Sequence, residues 1–384
     1  MNICIFQTGE PLHIDSGNYR PMRSMLLADK LVESGHKVVL ISSSFFHQRK
    51  SFRSKGYKSI HINENLEIKL IPSIGYKKHI SLKRLLDHII LAINLHIFLS
   101  NNKSFKPDKI FLGYPPIETS YIIIKWASKY NIPIILDVKD DWPQTFIEPF
   151  PESLKPFIRL LLSPYFILSK FIFRNSDKIT SITDDFINWI KLFSNDIGTE
   201  SYYNKRYFIS PLVRKPIELS EYNLRNSINF WERKNINLLE SRYFSFVGSF
   251  SKSFDFNFIY RLATIIEDKY PKINFIICGS GDQYLNVKKL FSGRRNIMVF
   301  GEINKYQASF LTRNSIATLA PYLKSDNFQR SIPNKVIESL ENGVPFITNL
   351  DGSLRRMILN KNNGIYIPDN NYDQIINYFN FLDD

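Results

Sequence analysis

Ser331-Ile-Pro-Asn-Lys-Val-Ile-Glu-Ser-Leu-Glu-Asn-Gly-Val-Pro-Phe-Ile-Thr348 is the stretch around which the rest of the chain falls into order. It reads as a short helix followed by a buried strand. Pro333 suits a first helical position, because its missing N–H has no intrahelical partner to lose there. Gly343 suits the left-handed residue just past the helix end, and Pro345 keeps the helix from resuming. Val344 to Ile347 is a short apolar run of the kind shown by a strand covered on both faces. The N-terminus of such a helix exposes unpaired N–H groups and the positive end of the backbone dipole, which together can hold a phosphate. Lys335 adds a full positive charge in the first turn. Glu338 follows three residues later on the same face, about 7.5 Å along the axis from Pro333 at the helical rise per residue. That separation matches the span from a nucleotide's phosphates to its ribose hydroxyls, from two of which a carboxylate can accept. A surface Lys–Glu pair at i, i+3 would look the same in isolation.

At 384 residues the chain suits two domains of ordinary size, each able to bury a core. Hydrophobic residues make up 44%, which excludes a disordered chain. Cys4 and Cys278 both fall in predicted buried strands, which argues for a reducing compartment and against a disulfide or a cysteine metal site. Met1 runs straight into a strand, with no secretory signal. A balance of 50 Lys and Arg against 36 Asp and Glu gives +14. Such a charge points to an anionic partner: nucleic acid, a phosphorylated substrate or an anionic membrane surface. Genome-wide composition can also produce an excess of Lys, Asn, Ile, Phe and Tyr, so charge alone does not choose.

Asn2 to Phe6 reads as a strand, followed by a loop through Ser16-Gly17-Asn18 and a helix from about Pro21 to Ser34, ended by Gly35. Val38 to Ile41 is a second strand. This order opens a doubly wound α/β domain. The loop lacks G-x-G-x-x-G, so it is not read as a dinucleotide site. Further strands are expected at 109–112, 134–137 and 179–182. The Asn-, Arg- and Tyr-rich tract near 200–242 carries no strong period. The domains are therefore drawn as 1–205, an interdomain connection at 206–242, and 243–384. Strands near 244–247, 275–278, 297–300, 317–319 and 345–348 give the second α/β series. Two such domains facing each other would place the C-terminal ends of both sheets around one cleft.

Two stretches are unusual for a plain soluble enzyme. His79 to Leu99 mixes Lys83, Arg84 and His88 with a long Leu/Ile face. Leu154 to Phe173 is nearly as apolar as a spanning helix, but Lys155, Arg159 and Lys170 interrupt it, and Pro156 and Pro164 break it. A basic amphipathic segment lying in the membrane interface fits it better than a span. A helix buried inside the N-terminal domain is the competing reading.

Taken in order, a set of segments resembles the family 4 glycosyltransferases of bacterial surface polysaccharide synthesis, which have the GT-B fold. They are GEPLHIDSGNYRPMRSMLLADKLVESGHKV at 9–38, SLKRLLDHIILA at 81–92, ILDVKDDWP at 135–143 and SDKITSIT at 176–183. FVGSFSKSFD at 246–255, ICGSGD at 277–282 and SIPNKVIESLENGVPFI at 331–347 complete the set. The chain is most similar to a branch whose members are named as N-acetyl-fucosamine transferases of O-antigen and capsule clusters.

The resemblance implies a nucleotide-sugar donor held mainly by the C-terminal domain and an acceptor held mainly by the N-terminal one. Glu338 falls where the family's second Glu of Glu-x7-Glu meets the donor ribose, whereas Arg330 stands where the first Glu would be. Asn334 and Lys335 belong to the P-N-K form of the motif. Lys252 is the candidate for the diphosphate, displaced from the commoner Arg…Lys pattern. Gly279 and Gly281 resemble the turn that lines the nucleotide, where small residues let backbone approach the base. Asp137-Val-Lys-Asp140-Asp141-Trp-Pro143 resembles D-V-R-D-x-W-P, with Lys139 a substitution and Asp141 an extra carboxylate. Asp140 is the preferred acceptor-positioning group or base, and Asp137 is second. An Asp that caps the following turn is the alternative. Glu10 and Asn18 lie in the loop that borders the reacting sugar in this fold.

The reading is a glycosyltransferase, peripheral on the cytoplasmic face of the membrane. It would move a sugar from a nucleoside diphosphate, UDP by preference, to a lipid-diphosphate-linked acceptor. The resemblance implies retention of configuration, with the leaving phosphate helping to take the acceptor proton. Amides near Gly17, Lys252, Lys335 and the helix at Pro333 would stabilise the diphosphate, so no cofactor or metal is expected. A UDP-sugar 2-epimerase shares the fold but carries other acid and histidine motifs. A non-catalytic basic module on membrane or nucleic acid is the rival from another class, and no recognisable nucleic-acid module supports it. GT-B chains usually end in a helix that crosses back to the first domain. Here Tyr372–Leu382 leaves that crossover short or missing.

Overall fold

The computed structural model describes residues 1–16, 21–77, 81–214, 216–368, 371–372 and 375–376. They form two compact units, Met1–Pro211 and Leu212–Asp384. The first contains β1 (Asn2–Phe6), α1 (Arg23–Glu33), β2 (Lys37–Ser43), β3 (Phe45–Phe46), β4 (Ser51–Phe52), β5 (Lys58–Asn63), β6 (Leu66–Ile71) and α2 (Leu82–Asn101). It continues with β7 (Lys109–Tyr114), α3 (Ile117–Lys129), β8 (Ile134–Val138), α4 (Lys155–Leu161), α5 (Ser163–Arg174), β9 (Lys178–Ser181), α6 (Asp184–Ser194), α7 (Glu200–Arg206) and β10 (Tyr207–Ile209).

Eight of these strands form one sheet in the order β10-β9-β8-β7-β1-β2-β6-β5, parallel except for the β5–β6 pair. Its apolar strands are buried, as crossover helices on both faces require. Ile5, Phe6, Leu40, Ile68, Leu70, Leu112 and Leu136 have no solvent exposure. Helices α2, α3 and α5 lie side by side, with α3 packed against both neighbours. Ser81 caps α2 by accepting from the Arg84 N–H at 3.2 Å.

The second unit runs α8 (Glu221–Glu232), β11 (Arg242–Val247), α9 (Phe256–Lys269), β12 (Ile273–Cys278), α10 (Tyr284–Phe291), β13 (Ile297–Phe300), α11 (Lys305–Arg313) and β14 (Ala317–Ala320). It ends with α12 (Asp326–Arg330), α13 (Asn334–Glu341), β15 (Phe346–Thr348), α14 (Ser353–Lys361) and β16 (Gly364–Tyr366). Its sheet, β13-β12-β11-β14-β15-β16, is parallel throughout. That is the 3-2-1-4-5-6 order of a doubly wound nucleotide-binding domain, whose switch point lies between its first and fourth strands.

The expected strands are present, and several boundaries differ. The 206–242 tract holds β10, which pairs with β9 in the first sheet, and α8, which packs against α11 of the second unit. Its elements are thus absorbed into the two units, which adjoin at 211/212. The 154–173 stretch is two helices bent by 64° at Leu162, not one segment. Among the described residues no single helix is long and apolar enough to cross a membrane. Cys4 and Cys278 are buried and unbridged. Gly17, Asn18, His79 and most of Tyr372–Leu382 lie outside the described residues.

Candidate functional site

In the first unit the switch point lies between β1 and β7. The loops that follow β1, β2, β7 and β8 meet there around a cavity of about 240 Å³. Glu10, His47, Tyr76, Arg84, His88, Lys139, Asp140 and Trp142 are among its lining residues. Ligands of open α/β sheets bind at this end of the strands.

Asp140, the first residue past the end of β8 but one, is half-buried and borders the cavity. Asp137 does not border it. It is fully buried, and Arg23 Nη1 donates to its Oδ1 at 2.6 Å. Lys139 Nζ is 3.6 Å from Asp137 Oδ2 and forms an ion pair with Glu10. Glu10, 5% exposed, also accepts from the Ser24 N–H at 2.9 Å and from the Ser24 hydroxyl at 2.6 Å. Two carboxylates and two cations are therefore locked together beside the cavity. Burial alone would raise the Glu10 carboxyl, but the Lys139 charge and the Lys139 and Ser24 hydrogen bonds hold it below its usual range. Lys139 is raised by Glu10 and Asp137 against the opposing effect of burial. Arg23 further ties α1 to the carbonyls of Ser210 and Pro211. Glu10 and Asp137 are thus engaged by Lys139, Arg23 and Ser24, whereas Asp140 is the carboxylate of the D-V-K-D segment that borders the cavity. Asp141 is wholly buried, so the adjacent acids do not share one exposed face. Among the described residues no group of three His, Cys, Asp or Glu is placed to hold a metal ion.

The segments 81–92 and 135–143 supply much of the aromatic and basic wall of the cavity, although the sequence assigned no site role to Arg84, His88 or Trp142. His88 stacks on Trp142 with centroids 5.7 Å apart. Burial, reinforced by Arg84, pushes its pKa down to about 3, so the imidazole is neutral at physiological pH. Arg84 lies 5.1 Å from the Trp142 ring. A signal was present: Arg84, Asp87, His88 and Leu91 recur at i, i+3, i+4 and i+7, one face of a helix. His47 and Tyr76 come from loops and carry no such period.

In the second unit the glycines and α13 come together at the equivalent end of the sheet. Pro333 is the N-cap, one residue earlier than expected, and it offers no side-chain cap to the first-turn N–H groups. Gly343 has φ +71°, the left-handed residue after the helix. Val336 and Ser339 form the buried face, and Ser339 Oγ holds the helix to the Val344 carbonyl at 2.7 Å. Lys335 reaches from the first turn to the end of β11, donating to the Val247 carbonyl, with Phe246 4.6 Å beneath its ammonium. A side-chain carbon at Gly248 would collide with Lys335 Nζ, and one at Gly279 with the Gly248 carbonyl. One at Gly281 would meet the Phe250 carbonyl. Absent side chains thus let Lys335 and neighbouring backbone approach closely at this edge. Glu338 pairs with Arg214, a residue the motifs did not flag. Asn334 is half-buried at the helix start. Lys252 is exposed in the loop after β11, and Arg330 pairs with Asp326 at 2.7 Å.

Residues 227–382 match the family model described as glycosyl transferases group 1. This span is less than half of the chain and lies within the second unit. No curated protein sequence matches the chain. Among solved structures, it is similar to sucrose-phosphate synthase from Thermosynechococcus elongatus, with a TM-score of 0.67 at 12% identity over 100% of this chain and 90% of that one. It is similar to WaaG, a glycosyltransferase of lipopolysaccharide biosynthesis, with a TM-score of 0.57 at 14% identity over 96% and 86%. It is also similar to Anabaena Alr3699/HepE in complex with UDP, with a TM-score of 0.59 at 9% identity over 99% and 89%. At these identities the likeness is one of fold, and that fold is GT-B.

Proposed function

We propose that the protein is a glycosyltransferase that moves a sugar from a nucleoside diphosphate, UDP by preference, to a lipid-diphosphate-linked saccharide acceptor. The observation that carries the reading is the edge of the second unit. There Lys335, the uncapped start of α13, the small-residue turns at Gly248, Gly279 and Gly281, and Glu338 collect within the span that matches the group 1 glycosyltransferase model. The diphosphate would lie against the first-turn N–H groups and Lys335, and the ribose hydroxyls against Glu338. UDP bound to HepE supports the choice of base.

The acceptor belongs to the cavity of the first unit, with Asp140 positioning or deprotonating its hydroxyl. The family resemblance supports family 4, retention of configuration and an O-antigen or capsule context. The lipid anchor is supported by apolar side chains left in solvent: Phe157, Leu160, Leu161 and Ile167 are 63%, 71%, 66% and 69% exposed. Together with Lys155, Arg159 and Lys170 they suit peripheral attachment to an anionic bilayer. The chemistry needs no metal in this reading, because helix terminus and lysine carry the departing charge.

The test is a transfer assay with UDP-sugars and lipid-linked acceptors, with the product read by mass. Saturable UDP binding and acceptor-dependent consumption of donor are expected, and turnover survives excess EDTA. Consumption without acceptor would make the protein an epimerase. Absence of UDP binding would leave a non-catalytic basic module. Activity lost to EDTA and restored by Mg²⁺ would overturn metal independence.

A further inference from the structure

His47 and Arg84 line the cavity of the first unit, Lys50 lies beside them against Tyr76, and the roles given so far leave these three without a task. Lys50 closes the turn between β3 and β4 with φ +55°, a left-handed conformation that Asn or Gly adopts more readily than Lys. Its ammonium is 4.7 Å from the centre of the Tyr76 ring and 3.2 Å from His47 Nδ1. Arg84 approaches the same ring from α2 at 5.6 Å. Two like charges thus converge on one phenol, and burial and Arg84 push the Lys50 ammonium down to about 8. Asp87, which α2 contributes to the same wall, accepts from the Gly75 N–H at 2.6 Å, and burial raises its carboxyl above the usual range. An anion brought in by a ligand would relieve the repulsion.

The other face of α2 carries the second observation. Leu82, Leu86, Ile89, Ile93 and Ile97 are 85%, 49%, 38%, 53% and 50% exposed. Spaced by three or four residues, they form one apolar stripe. It starts in the helical turn that carries Arg84 and runs roughly 22 Å at the helical rise. Its far end meets a groove lined by Tyr57, Pro72, Ile97 and Phe98. A charged pocket and an apolar track thus begin at the same turn.

We infer that Lys50, His47 and Arg84 hold the diphosphate of the lipid-linked acceptor, while its apolar chain leaves along the outer stripe of α2. This rests on the acceptor reading above and adds the residues and the polarity of the binding. The guanidinium, the ammonium and a protonated imidazole nitrogen supply donors to phosphate oxygens.

Farnesyl diphosphate, farnesol and inorganic pyrophosphate serve as probes. Each is titrated by calorimetry into the full chain with UDP saturating, so that the donor edge is filled. Farnesyl diphosphate is expected to bind, and each of the others to bind more weakly by about tenfold or more, because each lacks half of the contacts. Lys50→Asn suits the left-handed turn while removing the charge. It should weaken farnesyl diphosphate binding roughly tenfold or more and leave UDP affinity unchanged. Arg84→Gln should do the same. Wild-type affinity in Lys50→Asn, or no binding of farnesyl diphosphate to the parent protein, overturns the inference. Equal binding of pyrophosphate would leave only an anion site, and equal binding of farnesol only an apolar one, and either also overturns it. Failure of UDP itself to bind would sink the functional reading instead, so the two failures are separately visible.

Discussion

The Glu338 carboxylate is held by the Arg214 guanidinium, joining α13 to the segment that opens the second unit. The two side chains are 26% and 17% exposed, so the pair is screened only in part. The carboxylate proposed to receive the ribose is thereby fixed before any nucleotide arrives, which reduces the ordering that binding must do.

Loss of Glu338 should therefore weaken UDP directly. Charged hydrogen bonds of this kind are worth about 1.5–3 kcal/mol, so Glu338→Ala is expected to reduce UDP affinity roughly 10- to 150-fold. Arg214→Ala should weaken it less, because the carboxylate remains but is no longer held. Calorimetry on both variants decides. Unchanged UDP affinity in Glu338→Ala would remove α13 from the donor site.

The charge cluster of the first unit predicts a pH dependence with a definite sign. Glu10 is held below its ordinary value of 4.5, so its contribution is present above that pH and is lost as pH falls through the depressed value. Lys139 is raised above 10.5, so its contribution is present below that pH and is lost as pH rises through the raised value. Burial raises Asp137, which works against Glu10 on the acid side. The informative quantity is thus the difference between the parent protein and Glu10→Gln in thermal unfolding, from pH 7 down to about 3. That difference should shrink as acid is added. Lys139→Met, which leaves carboxylates buried without their ammonium, should destabilise the unit by about 3–5 kcal/mol. A near-neutral Lys139→Met would mean that the cluster is wetter than its geometry implies.

Membrane attachment is expected to have two separable parts. Each Lys or Arg near an anionic surface contributes ~1 kcal/mol, reduced by salt screening. The exposed apolar side chains of α4 and α5 should keep some protein bound when salt is high. Phe157→Ser with Leu160→Ser should lower vesicle binding at high salt by roughly tenfold or more. Cosedimentation with anionic vesicles reads this. No binding of the parent protein at low salt would sink the attachment.

Much of the fold was legible because local rules agreed with one another. Buried parallel strands read as unbroken apolar runs, and Gly35, Gly343 and Pro345 mark the ends of helices. What escaped was set by tertiary contact. β5 is almost wholly exposed, with only Ile60 and Ile62 to mark its alternation, while β10 and β16 are three residues long. Arg214 lies 124 residues from Glu338, and no local pattern links them. Asp137 looked catalytic because it sits near the end of a central strand. Its position one residue before the end of β8 buries it, and Asp140 beyond the strand reaches the cavity. The stretch around α2 is harder to read for a related reason: its inner face is largely apolar, and Asp87 and His88 are buried on it near the start of the helix.

Asp140 and Glu338 should separate the two halves of the reaction. Asp140→Asn preserves shape and hydrogen-bonding capacity but removes basicity and charge. If Asp140 positions or deprotonates the acceptor hydroxyl, turnover should fall on the order of 10²–10⁴, while UDP affinity stays nearly unchanged. Glu338→Ala should show the converse weighting, with donor binding carrying most of the loss. Asp137→Asn is the informative control, because Asp137 is buried against Arg23 and does not border the cavity. It should lower thermal stability first and turnover only through displacement of its neighbours. Product formation and UDP affinity are to be measured on all three variants, with unfolding temperature alongside. If Asp140→Asn loses UDP binding while Glu338→Ala keeps it, donor and acceptor roles are assigned to the wrong units. If Asp137→Asn keeps its stability yet loses turnover as Asp140→Asn does, the buried carboxylate takes part in the chemistry and its purely structural role fails.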